Sequence, residues 1–141
     1  MEQNENKVEE FFLKNFDTDR LFDSVKRADY MFLYYINICK KNSQSKQGVY
    51  LAELADAMKL PVNHISNAVK QLQDKGLVVW DMNKDRDKTY VDLTGNAVKL
   101  MDEQRARLKK AYAMIQERVS QDELFAMAET MKKIRKVFEE A

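Results

Sequence analysis

Across 141 residues there is one cysteine, one proline, one tryptophan, one histidine and three glycines. With Cys39 alone, no intramolecular disulfide framework can form, in keeping with a reducing compartment. So few glycines and prolines leave little room for a turn-rich all-β fold and point to a mostly helical chain. Long apolar runs are missing as well. None approaches the roughly 20 residues that cross a bilayer, and MEQNENKVEE at the N-terminus is polar and acidic, so a cytoplasmic protein with no membrane partner is expected. His64 and Cys39 are far apart in sequence and have no metal-ligand spacing, and there is neither a glycine-rich phosphate loop nor a nucleophile elbow. The expectation is therefore no metal, no cofactor, no catalytic residue and no enzyme activity. Charge of one sign is also scarce. Lys+Arg 24 against Asp+Glu 23 gives a net charge of +1, which counts against a nucleic-acid partner unless charge is arranged locally.

What the chain does contain is organised around Leu51 to Leu93. In VNHISNAVKQLQDKG, from Val62 to Gly76, the apolar residues Ile65, Ala68, Val69 and Leu72 recur at i, i+3, i+4 and i+7, the spacing of one helix face. The opposite face carries Asn63, Asn67 and Lys70, with Ser66 and Gln71 on its flanks and His64 near the boundary. Upstream, Leu51, Leu54, Ala55 and Met58 predict a short helix ending near Lys59. The Leu60-Pro61 break then separates the two helices, because the residue before proline disfavours helix. Two short helices across a tight break read as helix-turn-helix. Downstream, Gly76 suits a helix C-cap, Leu77–Trp80 reads as a strand, and Tyr90–Leu93 alternates as a second strand. The polar loop Asp81–Lys88 between them makes a hairpin with a charged tip. From Lys59 to Lys88 six basic residues face four acidic ones, a local excess of two.

The flanks are helical. Val8, Phe11, Phe12, Leu13 and Phe16 suggest an amphipathic helix, and Asp17, Thr18 and Asp19 are N-caps for a new or continued helix through Leu21, Phe22 and Val25. Tyr30–Cys39 is apolar on nearly every side, as a helix buried by several neighbours would be. Asn42–Gly48 reads as a polar loop and Val49-Tyr50 as a brief strand. Thr94 caps a long helix bearing Ala97, Leu100, Met101, Leu108, Ala111, Tyr112 and Ile115. Ser120-x-x-Glu123 is a capping box opening a last helix with Leu124, Met127, Ala128, Met131, Ile134, Val137 and Phe138 on a stripe. One chain of this size has difficulty covering both terminal stripes, so an isologous homodimer is expected.

The run LAELADAMKLPVNHISNAVKQLQDKGLVVW, the charged loop and VDLT together resemble the winged helix-turn-helix of the MarR family of bacterial transcription regulators. The resemblance extends over nearly the whole chain and is most specific between Leu51 and Thr94. It implies an α+β, mostly α fold in one 1–141 domain, with dimerisation helices in 1–42 and 95–141 around a DNA-binding lobe in 43–94. It further implies a dimeric repressor of a pseudo-palindromic duplex operator, responsive to a small molecule. The base- and phosphate-contacting set is then Val62, Asn63, His64, Ser66, Asn67, Lys70 and Gln71, with Lys84, Arg86 and Lys88 from the wing. The sequence departs from the family at the wing signature Asp-x-Arg: Asp85 matches, but Asp87 occupies the arginine position, leaving Arg86 or Lys88 to contact DNA. A second departure is Ala97, where a glycine often follows the Leu-Thr pair.

Four other readings stay open. A winged helix can serve as a protein-interaction module, and the wing tip can be a solvated hairpin end. Tyr30, Tyr34, Tyr35 and Cys39, with Met31, Met101 and Met114, either line a small-molecule pocket or form plain core. Cys39 is either a packed thiol or, beside Lys40 and Lys41, the centre of a redox-sensing regulator.

Overall fold

The computed structural model describes Lys14 and residues 19–42, 48–83 and 88–141, with 81–83, 88 and 89 described by backbone alone. The helix expected over Val8–Phe16, the loop interior 43–47 and the wing tip with Lys84, Asp85, Arg86 and Asp87 lie outside the described residues. The chain is mostly helical with a small antiparallel sheet, the winged-helix architecture. It divides into two compact units, Asp23–Gln104 and a second made of 1–22 with Arg105–Ala141.

In the first unit, helix α1 (Arg27–Asn42) buries Tyr30, Leu33, Tyr34, Tyr35 and Ile36, as its nearly all-round apolar sequence predicts. Asp29 in its first turn and Lys40 and Lys41 in its last complement the helix dipole. Strand β1 (Val49–Tyr50) leads directly into helix α2 (Leu51–Met58), where the Tyr50 amide donates to Glu53 Oε1 at 3.2 Å and so satisfies one free N–H of the first turn. Helix α3 spans Val62–Asp74, followed by strands β2 (Val78–Asn83) and β3 (Lys88–Leu93). The sheet order is β1-β3-β2, with Val91 paired to both Val49 and Trp80. Gly48 is required where it stands: its φ is +147°, and a Cβ there would come within 2.5 Å of the Val91 carbonyl oxygen. The core closes around Leu33, Ile36, Val49, Leu54, Ile65, Val69 and Val91, all fully buried.

Helix α4 (Gly95–Gln116) opens on the expected cap, Thr94, whose hydroxyl accepts from the Ala97 amide at 3.1 Å and donates to the Gly76 carbonyl at 2.8 Å. The position where a glycine often follows the Leu-Thr pair is filled by a fully buried Ala97. In the second unit, helix α5 (Gln121–Glu140) begins with the expected capping box: Glu123 N donates to Ser120 Oγ at 3.1 Å and Ser120 N to the Glu123 carboxylate at 3.0 Å. Leu124 and Ala128 form a small core there with Tyr112, Ile115, Val119, Met127 and Met131.

Two local expectations are corrected. No α-helix runs through Leu21, Phe22 and Val25. Asp19–Leu21 is a single 3-10 turn, and the Asp23 amide donates at 3.2 Å to the buried Gln104 side chain, where helix would have sent it to a carbonyl four residues back. The hairpin strands are longer than their apolar runs, reaching Asn83 and Lys88, which pair. Once Val78, Trp80 and Val91 set the register, the ladder satisfies the backbone of the polar residues beyond them whatever their intrinsic strand preference.

Candidate nucleic-acid interface

Helix α3 is aimed by its surroundings at both ends. At the entrance, Lys59 adopts the left-handed conformation (φ 56°), and the Leu60 amide returns to the Ala55 carbonyl at 3.1 Å, closing α2 with a Schellman turn. Pro61 then caps α3 in an extended conformation and loses nothing, because the first amides of a helix have no intrahelical acceptor. At the exit, Gly76 (φ +74°) reverses the chain, and the Leu77 amide donates to the Leu72 carbonyl at 3.0 Å. A salt bridge of 2.7 Å from Lys75 Nζ to Asp29 Oδ2 ties that end to the first turn of α1. Another of 2.7 Å, between Lys40 and Asp92, ties the last turn of α1 to β3. Both pairs are partly exposed and hold orientation more than they add stability.

The side of α3 turned inward carries Ile65, Val69 and Leu72, each at most 1% exposed. Val62, Asn63, His64, Asn67, Lys70 and Gln71 are exposed and Ser66 half-buried, so the helix-turn-helix positions singled out in the sequence lie on one element's accessible surface. Not all of them have free polar groups. Asn63 Oδ1 accepts from the His64 amide at 3.0 Å, and the Ser66 hydroxyl donates to the Asn63 carbonyl at 3.0 Å. Among the described residues, nothing bonds the side chains of Asn67, Lys70 or Gln71. The one carboxylate on this surface is Asp74, in the last turn. Such a face can bond base edges through amides and phosphate through lysine. Of the wing residues, Lys88 lies on β3 and is described by backbone alone, while Lys84 and Arg86 lie outside the described residues.

Tyr30, Tyr34 and Tyr35 are buried at 0%, 1% and 7% exposure, the rings of Tyr34 and Tyr35 meeting edge to face at 5.6 Å. Cys39 is half-buried. Burial pushes its thiol above the ordinary value, and the carboxylates of Glu53 and Asp56 push the same way, opposite to the effect of an electropositive setting. No group of three His, Cys, Asp or Glu with metal-holding geometry occurs among the described residues. No helix among them is long and apolar enough to cross a membrane. The two α1 ion pairs escape any reading of the sequence alone, since their partners are 46 and 52 residues apart and no local pattern links them.

The family model described as "Replication protein A C terminal" matches residues 3–79, more than half of the chain. The chain belongs to that family. It is a winged-helix family, and the match runs through α1, α2 and α3 of this member and ends inside β2. No curated protein matches the sequence. Among solved structures, the MepR–DNA complex of S. aureus is 14% identical with a TM-score of 0.64, covering 97% of this chain and 88% of that one. A mutant E. coli MarR complexed with operator DNA is 15% identical at 0.64, covering 94% and 86%. A MarR-family regulator from Rhodococcus sp. RHA1 is 19% identical at 0.59, covering 94% and 84%. At these identities the likeness establishes a shared fold over nearly the whole chain.

Proposed function

We propose that this protein is a sequence-specific DNA-binding transcription regulator, a cytoplasmic homodimeric repressor without catalytic activity that answers to a small molecule. The observation that carries the reading is α3: Ile65, Val69 and Leu72 on its apolar side are covered within its own unit, while its other side presents exposed amides and one lysine at the place where a helix-turn-helix meets the major groove. The β2–β3 hairpin follows it as a wing, and Lys84, Arg86 and Lys88 are the wing residues this reading assigns to DNA backbone or minor groove. Two solved neighbours with this fold are complexes with DNA, which supports the reading. For assembly, 1–42 and 95–141 supply the dimer helices around the 43–94 lobe. Ile134, Val137 and Phe138, exposed at 46%, 63% and 75%, are the surface that a second copy covers. Tyr30, Tyr34, Tyr35 and Cys39 remain the candidate effector-binding group, which requires the ligand to open a packed cluster.

A second reading is a winged helix that binds protein and not DNA; the observation on its side is that the matched family model is described by a replication protein and not by a transcription regulator. Titrating salt separates the two. On the duplex adjoining its own coding sequence, the regulator binds more tightly than on random duplex, and log affinity falls linearly with log salt at about 0.9 per phosphate contact. Absent or salt-insensitive binding favours the protein-interaction module.

A further inference from the structure

The groups that α3 offers are unevenly matched to the four bases. Its thirteen residues, Val62–Asp74, include no arginine, the side chain best suited to bidentate bonding of guanine, and a single lysine. Asn67 and Gln71 are one turn apart on the exposed side, and each keeps both its amide donor and its carbonyl acceptor. That pair of groups is what adenine's N7 and N6 edge requires. Asn63 and Ser66 are less available, being engaged with their own backbone. Val62 is the odd member. Whereas Ile65 and Val69 are fully buried, Val62 is 50% exposed at the first position of the helix, the end that approaches base edges when such a helix enters the groove. The C5 methyl of thymine is the apolar group that unmodified DNA displays on the floor of that groove. The exposed half of Val62 is apolar surface left in water in the folded monomer, and it gains burial against a methyl.

We infer that the base pairs read by α3 are A·T pairs, with Val62 packed on a thymine methyl and Asn67 and Gln71 bonding adenine. The inference rests on the DNA-binding reading above and names the substrate of that same surface. Lys70, in the third turn, takes phosphate.

The test begins with selection of bound duplexes from a random library by the full chain. Deoxyuridine then replaces each thymine of the selected duplex in turn, which removes one methyl and leaves every hydrogen-bonding group of the pair intact. Affinities are measured for the wild type and for Val62→Ala. A·T pairs are expected at the centre of each half-site. One or two deoxyuridine positions should weaken the wild type about three- to fivefold, the size of one buried methyl. Val62→Ala should bind the thymine duplex as weakly as the wild type binds the deoxyuridine one, with no further loss on substitution. Because Val62 is exposed, its replacement leaves the fold in place. Half-sites centred on G·C pairs, or a wild type insensitive to every deoxyuridine, would overturn the inference while leaving DNA binding intact. A library from which no duplex is enriched would overturn the DNA-binding reading itself.

Discussion

Helices α3 and α5 both carry an apolar stripe at helical spacing, yet the folded chain treats them differently. On α3, Ile65, Val69 and Leu72 are at most 1% exposed. On α5 the stripe is covered for two turns, at Leu124 and Ala128, and then left open: residues 132–140 are all exposed, and Phe138 is 75% accessible. Periodicity alone does not distinguish a stripe closed by its own chain from one that needs another. The first kind leaves its remaining face turned to solvent, as α3 does. The second leaves apolar area that costs about 25 cal/mol per Å² until something covers it.

Four experiments put that contrast at risk. The largest effect is expected from joining Ile134→Asp to Phe138→Asp. In a symmetric dimer both substitutions count twice, so association should weaken by an amount on the order of 6 kcal/mol, and light scattering should report monomer where the wild type is dimeric. A wild type that is itself monomeric at micromolar concentration would remove the reason given for the open stripe.

Next is Ile65→Ala, which empties a fully buried site and should lower unfolding free energy by about 2 to 5 kcal/mol in urea. Phe138→Ala, measured where the chain is monomeric, should change it by less than about 0.5 kcal/mol. Equal costs for the two would mean that the stripes are covered alike after all.

Third is Asn67→Ala on the outward face of α3. Stability should stay level, while affinity for the selected duplex falls by about 1 to 3 kcal/mol per half-site and random duplex is held as before. Equal weakening on both duplexes would show that Asn67 holds backbone and does not read bases.

The smallest effect concerns Cys39. Its thiol is pushed above the ordinary cysteine value by burial and by Glu53 and Asp56, so at pH 8 it carries less thiolate than an unstructured cysteine. Iodoacetamide should modify it more slowly in the folded chain than in urea. Faster modification of the folded protein would revive the redox-sensing alternative.

The contrast also shows how far the residues themselves speak. The spacing of Ile65, Val69 and Leu72, the Leu60-Pro61 break, the Thr94 cap and the Ser120-Glu123 box each encode something local, a face or an end, and the elements form where those signals lie. The β2–β3 ladder was only half legible, because Asp81, Asn83 and Lys88 have little strand preference and are drawn in by the register that Val78 and Val91 impose.

Local order in this protein was thus determined by its sequence, since a helix face, a cap and a chain reversal depend on residues within a turn or two of one another. Only tertiary structure decided the rest. After Leu21 the chain is not α-helical, and the Asp23 amide is held by Gln104, 81 residues away. Helix α3 is anchored at Lys75 by Asp29, 46 residues before it. Two stripes of the same period end up one covered and one open because burial depends on which distant segments come to lie against each face, and residue spacing along a helix carries no record of that.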